Sequence, residues 1–122
     1  MTLQDRQQIF AQNVALLINY IYIKGFKCTM GEAFRTEEQA AIYAKEDKGV
    51  RDSLHCKRLA LDLNLFTANG TYVMNSAIYK PFGMYWQSLH PDNVWGGCFV
   101  SKSGKKRQDG NHFECSDKPQ GE

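Results

Sequence analysis

The most informative pattern in this sequence runs from Ser53 to Phe66 and reads Ser-Leu-His-Cys-Lys-Arg-Leu-Ala-Leu-Asp-Leu-Asn-Leu-Phe. Its second half alternates strictly, because every second residue from 59 to 65 is a leucine. Successive side chains of a β-strand point to opposite faces, so the leucines predict one buried face. The other face carries Ala60, Asp62 and Asn64, where an exposed strand would carry Lys, Thr or Glu. We therefore interpret 59–65 as a strand whose polar face forms the floor of a cleft.

His55 precedes Asp62 by seven residues, and this separation restricts how the two side chains can meet. In an unbroken strand they would lie on opposite faces, roughly 23 Å apart at about 3.3 Å per residue. In an unbroken helix they would share a face but lie about 10.5 Å apart. Neither geometry lets both side chains bind one ion. If they share a metal, the chain must bend between Cys56 and Leu59, with His55 in a loop before the strand.

Length and composition predict a single domain over residues 1–122 that is large enough for a hydrophobic core. Hydrophobic residues make up 43% and aromatic residues 12%, as in globular proteins. The net charge is only +2, partly from Lys105-Lys106-Arg107, so we expect no nucleic-acid partner. No run of about 18 apolar residues is present, so we expect no membrane insertion. The first residues lack a signal-peptide pattern, and we expect synthesis in the cytoplasm.

The four cysteines form no C-x-x-C pair, and their spacing matches no structural zinc site. They are Cys28, Cys56, Cys98 and Cys115. We interpret them as scattered small hydrophobic residues of a cytoplasmic protein, although their spacing alone leaves a disulfide open.

The remaining patterns predict short antiparallel pairings with helices to one side, which is an α+β fold. The fold would have a small central antiparallel sheet carrying the cleft and about three helices. The predicted helices are a scaffold helix over 1–25 capped by Thr2, a second from Thr36 to about Asp47, and a third from Tyr79 or Pro81 to Leu89. The other predicted strands are Phe26–Met30, Tyr72–Met74 after an Asn-Gly turn, Trp95–Val100 and His112–Cys115, followed by a loose tail over 116–122.

Five side chains could build a catalytic metal site: His55, Asp62, Asp109, His112 and Glu114. A catalytic zinc ion takes three protein ligands and keeps a fourth position for water, whose pKa falls to about 7. A second carboxylate must then act as the general base. Asp109 and Glu114 are both candidates for the base, because one precedes His112 by three residues and the other follows on the same strand face. Spacing alone also allows ordinary structural roles for both histidines.

Three motifs resemble those of the LAS zinc peptidases. Ser53-x-His55-x-x-Arg58-x-Ala60-x-Asp62 is similar to their S-x-H-x-x-G-x-A-x-D signature. Trp95-Gly96-Gly97 followed by Asp109-x-x-His112 is similar to their W-G-G and D/E-x-x-H ending, which we count as one motif. Phe34-Arg35-Thr36 resembles an aromatic-Arg-Thr segment at the head of a helix. The motifs occur in the family's order from about residue 30 to 115. The family includes D-Ala-D-Ala carboxypeptidases, phage L-alanyl-D-glutamate endolysins and the hedgehog signalling domain.

The resemblance implies a role for each matching residue. His55, Asp62 and His112 would bind zinc, Asp109 would be the general base, and Arg35 would bind substrate and stabilise the oxyanion. The supporting residues would be Ser53 by hydrogen bonding and Trp95 on the cleft wall. Independently of the resemblance, Glu114 could be the base, a ligand or a support for His112. Two alternatives stay open at this point: a surface salt bridge of Arg35 with Glu37 or Glu38, and a core position for Trp95.

Three departures from the family pattern are evident. Arg58 replaces a glycine, so a left-handed conformation in the bend after His55 would have a cost. Cys98-Phe99 stands where the family often has Asp-Trp. The loop 101–108 is rich in Lys, Ser and Gly, and its basic run could meet anionic wall polymer. The last two changes bear on substrate choice more than on the zinc site.

The expected function is that of a zinc-dependent, monomeric peptidoglycan peptidase of the phage endolysin type, acting on the stem peptide. The bond is expected to be L-Ala-D-Glu, with D-Ala-D-Ala cleavage as the rival. Without a signal peptide, the enzyme would reach the wall from the host bacterial cytoplasm only after the inner membrane is breached. A zinc-binding interaction module without turnover is the alternative from another class. A nucleic-acid or phage-assembly protein that uses the basic loop is a weaker one.

Overall fold

The computed structural model describes residues 1–46, 53–98 and 109–117 of the chain. In this part of the chain the elements are α1 (Leu3–Ile23), β1 (Lys27–Met30), α2 (Glu37–Lys45), β2 (Ala60–Phe66), α3 (Ser76–Leu89), β3 (Asn93–Trp95) and β4 (His112–Cys115). Short 3-10 helices cover Leu54–Lys57 and Gly96–Cys98. The predicted α+β fold, with a small antiparallel sheet and three helices, is confirmed.

The sheet has four strands in the order β1-β2-β4-β3, and every neighbouring pair is antiparallel. The last strand in the sequence, β4, therefore lies between β2 and β3. Its register pairs Asp62 with His112 and Ala60 with Glu114. Directly opposed residues of an antiparallel pair project from the same face, so this register alone places His112 beside Asp62.

One face of β2 forms the floor of the hydrophobic core, as the alternation predicted. The four alternating leucines at 59–65 are at most 3% exposed. They pack with buried residues of α1, α3 and β4, among them Leu17, Ile21, Trp86 and Phe113. The opposite face of β2 carries the partly exposed Asp62 and Asn64. The strand thus separates the core from a polar face.

Helix α1 begins with the predicted capping box between Thr2 and Asp5. It also carries a buried cation, because Arg6 Nη1 donates to Asp92 Oδ2 at 3.1 Å and to the Ser116 carbonyl at 3.0 Å. The first two residues of the predicted loose tail therefore have partners, since Asp117 pairs with Lys57. For residues 118–122, which lie outside the described residues, the loose tail stays a prediction.

The predicted start of the third helix is wrong. Helix α3 begins at Ser76, and Asn75 caps it by accepting a hydrogen bond from the Ala77 amide. Pro81 consequently lies inside the helix instead of in its first turn. An asparagine cap satisfies one of the unpaired amide groups at the start of a helix, which is a stronger start signal than a proline.

The predicted strand Trp95–Val100 is also wrong in its described part. The strand is Asn93–Trp95, and the chain then turns through Gly96–Cys98, with Phe99 and Val100 outside the described residues. The predicted return strand Tyr72–Met74 is reduced to one bridge between Phe66 and Tyr72. Helix α2 ends at Lys45, two residues before the predicted end, and residue 47 lies outside the described residues.

All four cysteines belong to the described residues and carry thiols. Cys115 is buried in the core, whereas Cys98 is exposed, so the interpretation as small hydrophobic residues holds for the first and not for the second. Of the helices described, none combines the length and the apolar character that crossing a membrane requires.

Candidate metal centre

His55 reaches the polar face of β2 through a tight turn before the strand. Ser53 caps the 3-10 helix Leu54–Lys57, and its hydroxyl accepts a hydrogen bond from the His55 amide at 3.2 Å. Arg58 then adopts the left-handed conformation, with φ 56° and ψ 37°. The bend predicted between Cys56 and Leu59 is therefore present. It places the buried His55 ring beside Asp62.

Three ligand atoms converge on the polar face of β2. Asp62 Oδ1 lies 3.2 Å from His112 Nδ1 and 3.5 Å from His55 Nε2. Together His55, Asp62 and His112 offer ligand atoms that all lie within 4.8 Å of one another, so the cluster could hold a metal ion. The two rings meet edge to face, with centroids 5.0 Å apart.

The donor set suits zinc in its chemistry, and two of its donor–donor distances suit a tetrahedral ion. Tetrahedral bonds of 2.0–2.1 Å place neighbouring donor atoms about 3.3 Å apart. The two distances measured from Asp62 Oδ1, 3.2 and 3.5 Å, are close to this value. Two imidazoles and one carboxylate also leave a fourth position for a catalytic ligand. The remaining nitrogen of His55, Nδ1, is buried and has no hydrogen-bond partner within the described residues.

The electrostatics of the centre keep Asp62 negative. Burial alone would raise its pKa, but hydrogen bonds with His112 and His55 outweigh burial and lower the pKa to about 2. Burial alone would lower the pKa of His112, but hydrogen bonds with Asp62 and Glu114 raise it to about 9. In the metal-free protein His112 is therefore cationic at neutral pH and faces the two carboxylates.

Glu114 supports His112 from the far side of the ring. Its Oε1 lies 2.7 Å from His112 Nε2, on the same face of β4. Metal-binding histidines commonly donate their second ring N–H to a carboxylate, which fixes the tautomer and the ring orientation. Glu114 thus occupies the supporting position that was one of its predicted roles.

The Asp109–His112 turn closes against Gly96, the first glycine after Trp95. The Asp109 carbonyl accepts a hydrogen bond from the His112 amide at 3.0 Å. A Cβ at Gly96 would lie 2.2 Å from that carbonyl oxygen, so only glycine lets the turn approach. The contact packs the Trp95-Gly96-Gly97 segment against the turn that carries Asp109 and His112.

Trp95, expected on the cleft wall, is buried in the core and only 3% exposed. It supports the Asp109–His112 turn from behind, because its Nε1 donates to the Gly110 carbonyl at 2.7 Å.

Arg35 is attached to the same turn as His55. Its backbone amide donates to the His55 carbonyl at 3.2 Å, and its guanidinium lies 4.9 Å from the centroid of the Tyr43 ring. The ion pair of its side chain is with Glu32, not with the Glu37 or Glu38 considered from sequence. The guanidinium is thus held at the edge of the metal centre.

Glu32 is the site residue that sequence reasoning missed. Its Oε1 lies 2.7 Å from Arg35 Nε and 3.6 Å from His55 Nδ1. The only available signal was its place two residues after the predicted strand Phe26–Met30. Using that signal required the register of this strand against β2, which pairs Met30 with Leu63 and is not encoded locally.

Comparison with known proteins gives a structural relative. No protein-family model matches the chain, and no curated protein matches it either. In fold, the chain is similar to the crystal structure of the L-Ala D-Glu endopeptidase ChiX of Serratia marcescens, with a TM-score of 0.68 and 16% sequence identity. The likeness covers 88% of this chain and 77% of that one. At this identity the likeness establishes a shared fold.

Proposed function

We propose that the chain is a zinc-dependent peptidoglycan peptidase of the endolysin type that hydrolyses the L-Ala-D-Glu bond of the stem peptide. The observation that carries the proposal is the convergence of His55, Asp62 and His112 from a turn and two strands. The fold shared with an L-Ala D-Glu endopeptidase supports the same class of substrate. Three motifs typical of LAS peptidases map onto the elements that build this centre.

The metal would be held by His55 Nε2, Asp62 Oδ1 and His112 Nδ1. When bound, zinc supplies Lewis-acid polarisation of a peptide carbonyl and lowers the pKa of a water nucleophile. Asp62 contributes the one formal negative charge among the three ligands. The rigid pairing of β2 with β4 orients two of the three ligands before any substrate arrives.

Asp109 is the proposed general base. It begins the turn that ends at His112, and its carbonyl accepts the His112 amide, so its backbone lies next to a candidate metal ligand. It would accept the proton of the attacking water and return it to the leaving amine. Glu114 is less suited to this work, because its carboxylate is engaged by His112 Nε2 at 2.7 Å.

Arg35 is the proposed cation for the substrate. A guanidinium offers several N–H donors in a fixed plane, which suits a developing oxyanion or a carboxylate. Glu32 engages its Nε and Nη2, so the other guanidinium N–H groups would meet the substrate. Backbone attachment to the His55 carbonyl sets the position of Arg35 relative to the metal ligands.

Digestion of purified peptidoglycan, followed by mass spectrometry of the products, tests the proposal. Cleavage of L-Ala-D-Glu leaves L-Ala on the glycan and frees the amino group of D-Glu. A D-Ala-D-Ala carboxypeptidase would instead release one alanine from the end of the stem. We expect the first pattern, its loss with a chelator, and its recovery when zinc is restored.

Asp109→Ala separates catalysis from metal binding. We expect the variant to retain zinc and to lose at least about 100-fold in hydrolysis, the usual lower range for a general base. Glu38→Ala, which removes an exposed carboxylate in the first turn of α2, is the matched control and should digest like the parent. If Asp109→Ala hydrolyses peptidoglycan as fast as the parent, Glu114 becomes the candidate general base. Zinc binding by the parent without any product would favour an interaction module.

A further inference from the structure

The segment after β1 runs directly beside the metal ligand of β2. Gly31 donates its amide to the Asp62 carbonyl at 2.7 Å, and the Asp62 amide donates to the Glu32 carbonyl at 3.0 Å. Two successive residues thus face one residue of β2, which is the arrangement of a β-bulge. Bulges redirect side chains next to active sites, and this one turns Glu32 toward the centre.

The Glu32 carboxylate lies between two groups of the site. Its Oε1 is 2.7 Å from Arg35 Nε and 3.6 Å from His55 Nδ1. The His55 side chain is only 3% exposed, so Nδ1 has little access to water. That nitrogen also has no hydrogen-bond partner in the described part of the chain. The Glu32 carboxylate lies just beyond hydrogen-bond distance of this nitrogen.

The two nitrogens of His55 have different surroundings, and this fixes what each can do. Nε2 lies 3.5 Å from Asp62 Oδ1 and faces the other metal ligands. Nδ1 must then carry the proton when Nε2 binds a metal, and a buried N–H needs an acceptor. His112 already has such an acceptor in Glu114, at 2.7 Å from Nε2.

We infer that Glu32 is a positioning residue for the zinc centre, an inference that rests on the proposed function. Its carboxylate accepts the Nδ1–H of His55 in the metal-bound state and so selects the tautomer that leaves Nε2 for zinc. The same carboxylate holds Arg35 at the edge of the centre. One side chain therefore couples the orientation of a metal ligand to that of the substrate-binding cation. Closing 3.6 Å to hydrogen-bond length needs a shift of less than about 1 Å.

Zinc affinity, measured by competition with a chromophoric chelator, tests this role without relying on turnover. We expect Glu32→Ala to weaken zinc binding by about 10- to 100-fold, as for other residues that support a metal-bound histidine. Glu32→Gln keeps an oxygen that accepts from Nδ1–H, so its zinc affinity should stay closer to that of the parent. The absorption spectrum of the cobalt-substituted protein should change in Glu32→Ala more than in Glu32→Gln.

Two further variants show whether Glu32 affects zinc affinity through His55 or through the loop as a whole. Glu38→Ala removes a carboxylate that lies outside the site and should bind zinc like the parent. Arg35→Gln removes the ion pair but leaves Glu32 beside His55, so it should lower hydrolysis far more than zinc affinity. Equal losses of zinc affinity in Glu32→Ala and Arg35→Gln would mean that Glu32 acts on the loop as a whole, which would overturn its role toward His55.

Nitrogen-15 NMR of the histidine rings gives a readout on the parent protein itself. In the zinc-loaded state we expect His55 to carry its proton on Nδ1. A proton on Nε2, or zinc affinity and a cobalt spectrum unchanged in Glu32→Ala, would overturn the inference while the peptidase proposal stands. A parent protein that binds no zinc would overturn both. Should Glu32→Ala not fold, Glu32→Gln and the NMR measurement decide.

Discussion

The two histidines reach Asp62 from different kinds of backbone. His112 lies on β4 directly opposite Asp62, with Glu114 on the same strand face, and we call these two residues the strand side. His55 lies in the irregular segment Ser53–Arg58, which we call the turn side. On the strand side the contacts of His112 are 3.2 and 2.7 Å long. On the turn side the corresponding contacts of His55 are 3.5 and 3.6 Å.

This difference arises because different structural features hold the two sides of the site in place. Sheet register sets the strand side, because opposed residues of an antiparallel pair are held at a fixed spacing. The turn side depends on separate local devices: the Ser53 cap, the left-handed Arg58 and the bulge that carries Glu32. Its distances are longer, so binding of the proposed metal would shorten them more. We therefore expect changes on the strand side to affect the free energy of unfolding, and changes on the turn side to affect metal geometry.

The largest expected effect comes from the contacts of Arg6 with Asp92 and Ser116, which support the strand side and which we call the brace. Arg6 ties α1 to Asp92, which precedes β3, and to the Ser116 carbonyl, which follows β4. Both charged side chains are only 8% exposed. Arg6→Ala leaves Asp92 buried without its cation and should lower the free energy of unfolding by about 3–5 kcal/mol. Urea unfolding followed by circular dichroism measures the loss.

Replacing both partners distinguishes the loss of the ion pair from the cost of burying a carboxylate without its cation. Arg6→Met combined with Asp92→Leu removes the pair without leaving a lone buried charge, so it should recover much of the lost stability. If the single variant Arg6→Ala is as stable as the parent, the strand side does not depend on this brace.

The next effect is the pH dependence of the metal-free protein, which belongs to the strand side. The pKa of His112 is raised from 6.5 to about 9, so the folded state holds a proton that the unfolded chain releases. The resulting stabilisation is fully present below pH 6.5 and is lost as the pH rises through 9. Its size is on the order of 2 kcal/mol. Urea unfolding of chelator-treated protein across this range measures it.

His112→Gln should flatten that dependence, because the titrating group is gone. Asp62 acts in the opposite direction, since its pKa is lowered from 3.8 to about 2. Its contribution is present above pH 3.8 and is lost as the pH falls through 2. Zinc must displace the proton of His112, so zinc affinity should rise with pH toward 9. Stability of the metal-free parent that stays constant from pH 6.5 to 9 would contradict this account.

The local elements of the fold could largely be predicted from sequence. Alternation revealed β2 and its core face, and caps revealed α1 and α2. The start of α3 was misplaced because the prediction relied on a proline near the first turn, whereas the helix is capped by Asn75. The position of β4 between β2 and β3 was not predictable, since strand order depends on contacts between distant segments.

The three residues that converge as candidate metal ligands could be named from sequence, because one motif and one short strand contain them all. Their supports could not be predicted in the same way. Glu32 becomes a site residue only through the register of β1 against β2. The partner of Arg6, Asp92, is separated from it by 86 positions in the sequence. Trp95 supports a turn from the core instead of lining the cleft, which depends on close packing against Gly83 and Gly97. Such contacts arise from tertiary packing and leave no local pattern.

The smallest expected effect concerns the backbone of the turn side. Arg58 is the one non-glycine residue with positive φ among those described, and its guanidinium lies 4.2 Å from the centroid of the Phe34 ring. Arg58→Gly and Arg58→Ala both remove that contact, so their difference isolates the left-handed backbone. The left-handed conformation costs a side chain about 1–2 kcal/mol, and glycine loses about 0.4–1 kcal/mol more unfolded-state entropy.

Arg58→Gly should therefore be more stable than Arg58→Ala by about 0.5–1 kcal/mol in urea unfolding. The same pair of substitutions at Lys57, within the 3-10 helix, should have the reverse order, because glycine is penalised where φ is negative. An alanine at position 58 as stable as glycine would mean that the turn side reaches His55 without a left-handed residue. The bend between His55 and β2 would then need another cause, and the contrast between the two sides would lose its structural basis.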